Sequence, residues 1–177
     1  IEFSKYIERK IPNFEILNLE ALEVIENTAE DILAEIGIKF PDNEFALSLW
    51  KEAGADIKGD LVKIPKGLAR KLCSTAPTTF IQHARSQKKN VEIGGKNLVC
   101  APVYGPPFIR DLEGGRRYAE IADFEKLVKL AYMSKWVHHS GGTLCEPTDI
   151  PVNKRHLDML FAHMTLSDKP YMGSVTA

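Results

Sequence analysis

Apolar residues at Leu22, Ile25, Ala29, Ile32, Leu33 and Ile36 recur at helical spacing, which predicts an amphipathic helix over residues 18–36. Asn18 stands where an N-cap belongs, Glu20 and Glu23 lie near the positive end, and Gly37 is placed to stop the helix. A second helix is predicted over 43–53, after Asp42, with Ala46, Leu49 and Trp50 on one face and Gly54 as its stop. Residues 55–57 and 61–64 read as extended pieces about the turn Lys58-Gly59-Asp60, and Pro65 is expected to open a third helix to about Ser74. The pattern then becomes extended. Residues 78–83 read as a strand, 90–93 and 97–100 as a hairpin about Gly94-Gly95-Lys96, and 107–112 and 116–121 as a second about Glu113-Gly114-Gly115.

From Asp123 the alternation changes. A helix over 123–133 carries Phe124, Leu127, Val128 and Ala131 inward, and residues 136–140 read as a strand. Gly141-Gly142 and a polar loop follow. A helix over 152–166 is expected to bury Leu157, Leu160, Phe161 and Met164, Lys169-Pro170 ends it, and 171–175 reads as the next strand. Helix–strand–helix–strand with short links implies parallel strands joined by a right-handed crossover. The expected organisation is therefore 1–121, helices and short antiparallel hairpins, followed by 122–177, the first α/β units of a larger sheet. Two parallel strands cannot cover both faces of their own sheet, so the α/β part is expected to continue past Ala177 or to be completed by another chain.

Composition narrows the class. The chain has 177 residues, 44% of them apolar, with a formal net charge of −1. That is the profile of an ordered globular protein, with no electrostatic footprint for nucleic acid or an anionic membrane. No apolar run approaches the roughly 20 residues that span a bilayer. Three widely spaced cysteines, Cys73, Cys100 and Cys145, suit a reducing compartment better than a disulfide framework, so a cytoplasmic location is expected.

The order of motifs resembles the trimethylamine methyltransferase family. The carriers are Ile32-Leu33-Ala34-Glu35-Ile36-Gly37-Ile38, Lys51-Glu52-Ala53-Gly54-Ala55 with Val62-Lys63-Ile64-Pro65, and Ser74-Thr75-Ala76-Pro77. They continue through Asp111-Leu112-Glu113-Gly114-Gly115-Arg116-Arg117 and Asp123 to Arg155-His156-Leu157-Asp158-Met159-Leu160 and Asp168-Lys169-Pro170-Tyr171-Met172-Gly173. The resemblance implies a TIM (β/α)8 barrel whose N-terminal helices and hairpins decorate it, 122–177 supplying its first strands. It implies transfer of a methyl group from a methylated amine, trimethylamine or a quaternary amine such as glycine betaine, to cobalt of cobalamin. That corrinoid is carried by a separate partner protein and not by this chain. Some members of the family carry pyrrolysine in the later part of the barrel, so residues 1–177 do not distinguish the branches.

Candidate site residues follow from the rule that barrel enzymes work at the C-terminal ends of their strands. Residues 143–147 should then lie on the active face, where the Glu146 carboxylate could attract an ammonium group, orient a partner, or simply be solvated. His138 and His139, adjacent in a strand, should point to opposite sides, one to the barrel interior as substrate contact or core residue. That opposition disfavours a shared metal, and no metal site is expected. Gly141 and Gly142 either admit a ligand close to the backbone or turn the chain out of the sheet. Tyr104, among Pro102, Pro106 and Pro107, either packs or offers a ring to a quaternary ammonium, an attraction of about 0.5–2 kcal/mol. His156 and His163, seven apart on a helix, are expected to pack. Cys145 could be a nucleophile but has no neighbouring base in the pattern. No catalytic residue is named by the sequence. Two other readings stay open, a non-catalytic assembly module using the N-terminal helices in a homo-oligomer, and a barrel enzyme of other chemistry.

Overall fold

A computed structural model describes residues 4–12 and 14–173. The chain folds as two compact units, one of Pro12–Pro77 and one of Ile1–Ile11 with Thr78–Ala177. The fold is mixed α/β, its ladders antiparallel.

In the first of these, α1 spans Leu19–Asp31, and Asn18 accepts from the Ala21 N–H at 2.9 Å, the expected cap. The helix loosens into a π-turn over Ile32–Ile36, closed by the Gly37 N–H on the Ile32 carbonyl, and Gly37 stops it at φ 84°. A Cβ on Gly37 would stand 2.5 Å from the Val62 carbonyl, so only glycine lets the helix end lie against that strand. Helix α2, Glu44–Ala53, is capped by Asn43 and ended by Gly54. Strands β3 (Asp56–Lys58) and β4 (Leu61–Lys63) form the expected pair, and β4 also pairs with β2 (Ile38–Lys39), which the sequence pattern did not predict. The third helix, α3, is Leu68–Cys73 and starts after Gly67. Pro65 belongs to the preceding turn, where its carbonyl takes the Leu68 N–H, and does not open the helix.

The other unit holds a four-stranded sheet in the order β1 (Ile7–Glu8), β7 (Asn97–Leu98), β6 (Val91–Gly94), β5 (Thr79–Gln82), and a hairpin of β8 (Phe108–Asp111) and β9 (Gly115–Tyr118). Helices α4 (Ile121–Met133) and α5 (Val152–Leu166) pack together. Their core is Ala119, Phe124, Val128, Leu144, Cys145, Met159 and Ala162, with Ile109, Ile121, Leu127 and Leu166 at its edge. Asp123 anchors the start of α4 twice, bonding the Glu120 N–H and taking a two-pronged ion pair from Arg117 at 2.7 and 2.9 Å.

Three expectations fail here. Helix α5 turns Met159, Ala162 and His163 inward, while Leu157, Phe161 and Met164 face outward. Apolar residues surround this helix, so no single stripe marks its inner face. Residues 136–140 form no strand: the His138 and His139 N–H groups both go to one carbonyl, Cys100, which alternating strand geometry forbids. Nor do Tyr171–Gly173 enter a ladder, and residues 174–175 of that predicted strand lie outside the described residues. Two bonds still join these segments, Ser140 N–H to the Pro170 carbonyl and Met172 N–H to the Gly141 carbonyl, both at 2.8 Å. They advance in the same direction along both pieces. Gly141, at φ 88°, turns its own N–H back to His139, and the pairing stops there.

Candidate functional site

The sequence pattern makes residues 136–140 a strand and the stretch after Gly141-Gly142 a polar loop. The structure instead buries the chain from His138 to Cys145. A buried loop must find partners for its backbone, and this one does. Beyond the bonds above, the Thr143 carbonyl takes the Gly105 N–H at 2.6 Å, and the Glu146 N–H reaches the Pro106 carbonyl at 3.0 Å. Residues 102–106 are thereby stitched along the loop.

Both glycines are there for close approach. A Cβ on Gly141 would meet Leu144 at 2.8 Å and Pro102 at 3.2 Å. On Gly142 it would fall 2.0 Å from the Tyr104 hydroxyl oxygen and 3.0 Å from the Met172 carbonyl. Tyr104, itself half-exposed, rests with its phenol against a buried glycine. Beside it, Pro102, Val103, Leu127, Leu130, Ala131, Val137 and Leu144 line an apolar groove of about 370 Å³.

Histidines fix the loop from beneath. The Nδ1 of His138 accepts the Cys100 N–H at 2.9 Å, which leaves its proton on Nε2, a buried atom without a protein partner. In His139, Nδ1 accepts the Gly141 N–H at 2.9 Å, so the Nε2 proton points to Gln82 Oε1 at 3.1 Å. His163 Nε2 lies 2.8 Å from the Gly142 carbonyl, which can only accept, so Nδ1 is left to receive the Ser140 hydroxyl at 2.9 Å. The His163 ring stacks on Tyr171 with centroids 5.5 Å apart and meets Phe124 edge-on. Burial lowers the pKa of all three, that of His139 to about 4. Each is a neutral hydrogen-bonding wedge near pH 7.

The sequence-chosen residues thus divide. Gly141, Gly142 and Tyr104 come together as one surface, and His138 and His139 support it without the opposed strand geometry expected of them. Glu146 is taken by Arg155, whose Nη1 lies 2.9 Å from its carboxylate and whose Nη2 reaches the Ile150 carbonyl. Cys145 is fully buried and its thiol is pushed up to about 11, chiefly by burial, so it is no nucleophile at neutral pH. Sequence reasoning expected His163 only to pack, and it missed Ser140 and Lys169. Lys169 is buried, with its ammonium on the Ala131, Ser134 and Val137 carbonyls at 2.7, 2.8 and 2.7 Å, where it closes the C-terminal end of α4. Among the described residues no cluster of three or more His, Cys, Asp or Glu could hold a metal ion, and no helix is long and apolar enough to cross a membrane.

Residues 1–177 match the model of a family described as trimethylamine methyltransferase (MTTB). The glycine betaine methyltransferase of Desulfitobacterium hafniense (strain Y51) is 42% identical over 164 residues, 93% of this chain and 34% of that protein. The proline betaine:corrinoid methyltransferase of Eubacterium limosum is 27% identical over 174 residues, 96% of this chain and 35% of its own. A trimethylamine methyltransferase of Desulfitobacterium hafniense (strain DSM 10664 / DCB-2) is 33% identical over 81 residues, 45% of this chain and 16% of its own. The chain therefore spans about a third of the length of the first two relatives.

Proposed function

Because the chain belongs to the trimethylamine methyltransferase family, we propose that it forms the N-terminal part of an enzyme moving a methyl group from a quaternary amine, a betaine foremost, to a corrinoid carried by a partner protein. In that reading residues from 122 onward begin a (β/α)8 barrel, and the shared direction of the 140–141 and 170–172 segments supports it. The identity of 42% with a glycine betaine enzyme over 93% of the chain supports the quaternary class.

The observation that carries the reading is the chemical state of the site. His138, His139 and His163 are buried, neutral and held in fixed tautomers, and Glu146 is paired with Arg155. These histidines and this paired carboxylate supply no poised acid or base, and a quaternary amine needs none. When a methyl leaves a quaternary nitrogen, the breaking C–N bond returns its pair to nitrogen and a neutral tertiary amine departs without a proton. The new carbon–cobalt bond uses the pair of the reduced corrinoid, which is here a co-substrate. What this chain would contribute is a rigid wall of loop and aromatic ring. Quaternary ammonium groups have no N–H to donate, so aromatic faces are the apt contact, and the half-exposed Tyr104 offers one.

The test uses the full-length protein with reduced corrinoid and glycine betaine, proline betaine or trimethylamine, following the cobalt spectrum for methylation. Methylation from a betaine and little from trimethylamine is expected. Methylation from none of the three would sink the proposal.

A further inference from the structure

Residues 102–105 lie along the two glycines. Pro102 is against Gly141, the Gly105 N–H is bonded to Thr143, and the Tyr104 hydroxyl stands where a Gly142 side chain would be. The Gly142 carbonyl is held in turn by His163, itself clasped by Ser140, Tyr171 and Phe124. The floor under Tyr104 is thus rigid, while the ring above it remains 51% exposed. A half-exposed ring whose tip rests against a buried glycine is placed as a wall and not as a core residue.

The geometry points to Gly142 as the residue that positions Tyr104 against the methylammonium group, so that an absent side chain sets how far this wall reaches into the substrate space; this rests on the methyltransferase reading above. Gly142 touches no substrate. It acts through Tyr104, and an added methyl group would drive the ring off its seat, because a contact of 2.0 Å cannot be kept. The change should weaken capture of the ammonium group more than the chemical step, which depends on the alignment of carbon and cobalt.

The experiment is done on the full-length protein labelled with 3-fluorotyrosine, the Tyr104 fluorine resonance being assigned by its loss in Tyr104→Phe. Glycine betaine is the probe. It is expected to shift the Tyr104 resonance, and Gly142→Ala is expected to raise both the betaine dissociation constant and KM about tenfold, with kcat changed less than about threefold. Tyr104→Leu should raise KM similarly, and adding Gly142→Ala to it should raise KM less than about twofold further, because the seat is already empty. If Gly142→Ala does not fold, Tyr104→Leu should restore folding by removing the ring it strikes, and failure of that rescue overturns the inference. Equal effects of Gly142→Ala in both backgrounds overturn it too, as does an unmoved Tyr104 resonance in an enzyme that turns betaine over. Turnover without the shift thus defeats the positioning role alone, whereas absence of both turnover and shift defeats the methyltransferase reading and the positioning role with it. A betaine shift that Gly142→Ala weakens, in a protein that turns over nothing, would support the positioning role and leave the reaction wrong.

Discussion

His163 donates from Nε2 to the Gly142 carbonyl at 2.8 Å, tying the last turn of α5 to the buried loop beneath Tyr104. The same ring receives the Ser140 hydroxyl, so one side chain satisfies two buried polar groups. His163→Phe keeps the ring against Tyr171 and Phe124 but leaves the Ser140 hydroxyl unpaired and the Gly142 carbonyl with the Leu144 N–H alone. A buried unsatisfied hydroxyl costs about 1–3 kcal/mol and the lost carbonyl bond about 1 kcal/mol, so a loss of roughly 2–4 kcal/mol is expected. Urea unfolding followed by circular dichroism reads this directly, and a loss under about 1 kcal/mol would show that water replaces both bonds.

His139 gives the fold an acid limit. Burial holds its pKa at about 4, below the 6.5 of an unfolded histidine. Between those values the unfolded chain binds the extra proton and the folded chain does not, so stability rises with pH through this window. The contribution is complete above about pH 6.5 and is lost as pH falls toward 4. The difference corresponds to about 3 kcal/mol for this one group. His138 and His163 are shifted in the same direction and add to the slope. His139→Asn keeps an acceptor for the Gly141 N–H and removes the titration. Its unfolding free energy should therefore fall less between pH 7 and pH 4.5 than that of the parent chain, and equal slopes would refute this account.

Local chemistry was legible in the sequence wherever one residue decides a boundary. Asn18 and Gly37 bracket the first helix, Gly54 ends the second, and the glycine turns of both hairpins stand where the pattern puts them. What was not legible depends on distant partners. Strands Ile7–Glu8 and Ile38–Lys39 exist only because Leu98 and Val62 lie opposite them, and no periodicity over two residues announces that. Of the site, the glycine pair and Tyr104 were each candidates on separate grounds. Their mutual contact needed the fold, as did the Arg155 partner of Glu146. His163 was expected only to pack, and a histidine on an apolar helix face gives no sign of which carbonyl it will meet.

Cys145 and Cys73 should differ sharply in reactivity. Cys145 is wholly buried with its thiol pushed up to about 11, while Cys73 is exposed at the end of α3. In the native protein at pH 8, iodoacetamide should modify Cys73 within minutes and leave Cys145 untouched until denaturant is added, as peptide mass spectrometry would show. Prompt labelling of Cys145 would mean that the core about Phe124 and Val128 opens readily, against the packing described.

Lys169 makes the sharpest structural prediction. Its three N–H donors match three carbonyls, two from the end of α4 and its cap and one from Val137, which converge on a point. These are carbonyls that a helix end leaves without intrahelical partners, and a cation there also meets the negative end of the helix dipole. Lys169→Met retains the aliphatic stem and strands the carbonyls, at an expected cost of roughly 2–4 kcal/mol. Lys169→Arg should not restore the loss, because a planar guanidinium spreads its donors along a fork and cannot place them on one converging point. Hydrogen exchange localises the effect: amides of residues 134–138 should lose protection in both variants, while those of α2 keep theirs. If Lys169→Arg proved as stable as the parent chain, the pocket would be reading charge alone, and the convergent geometry of these carbonyls would not be what selects lysine.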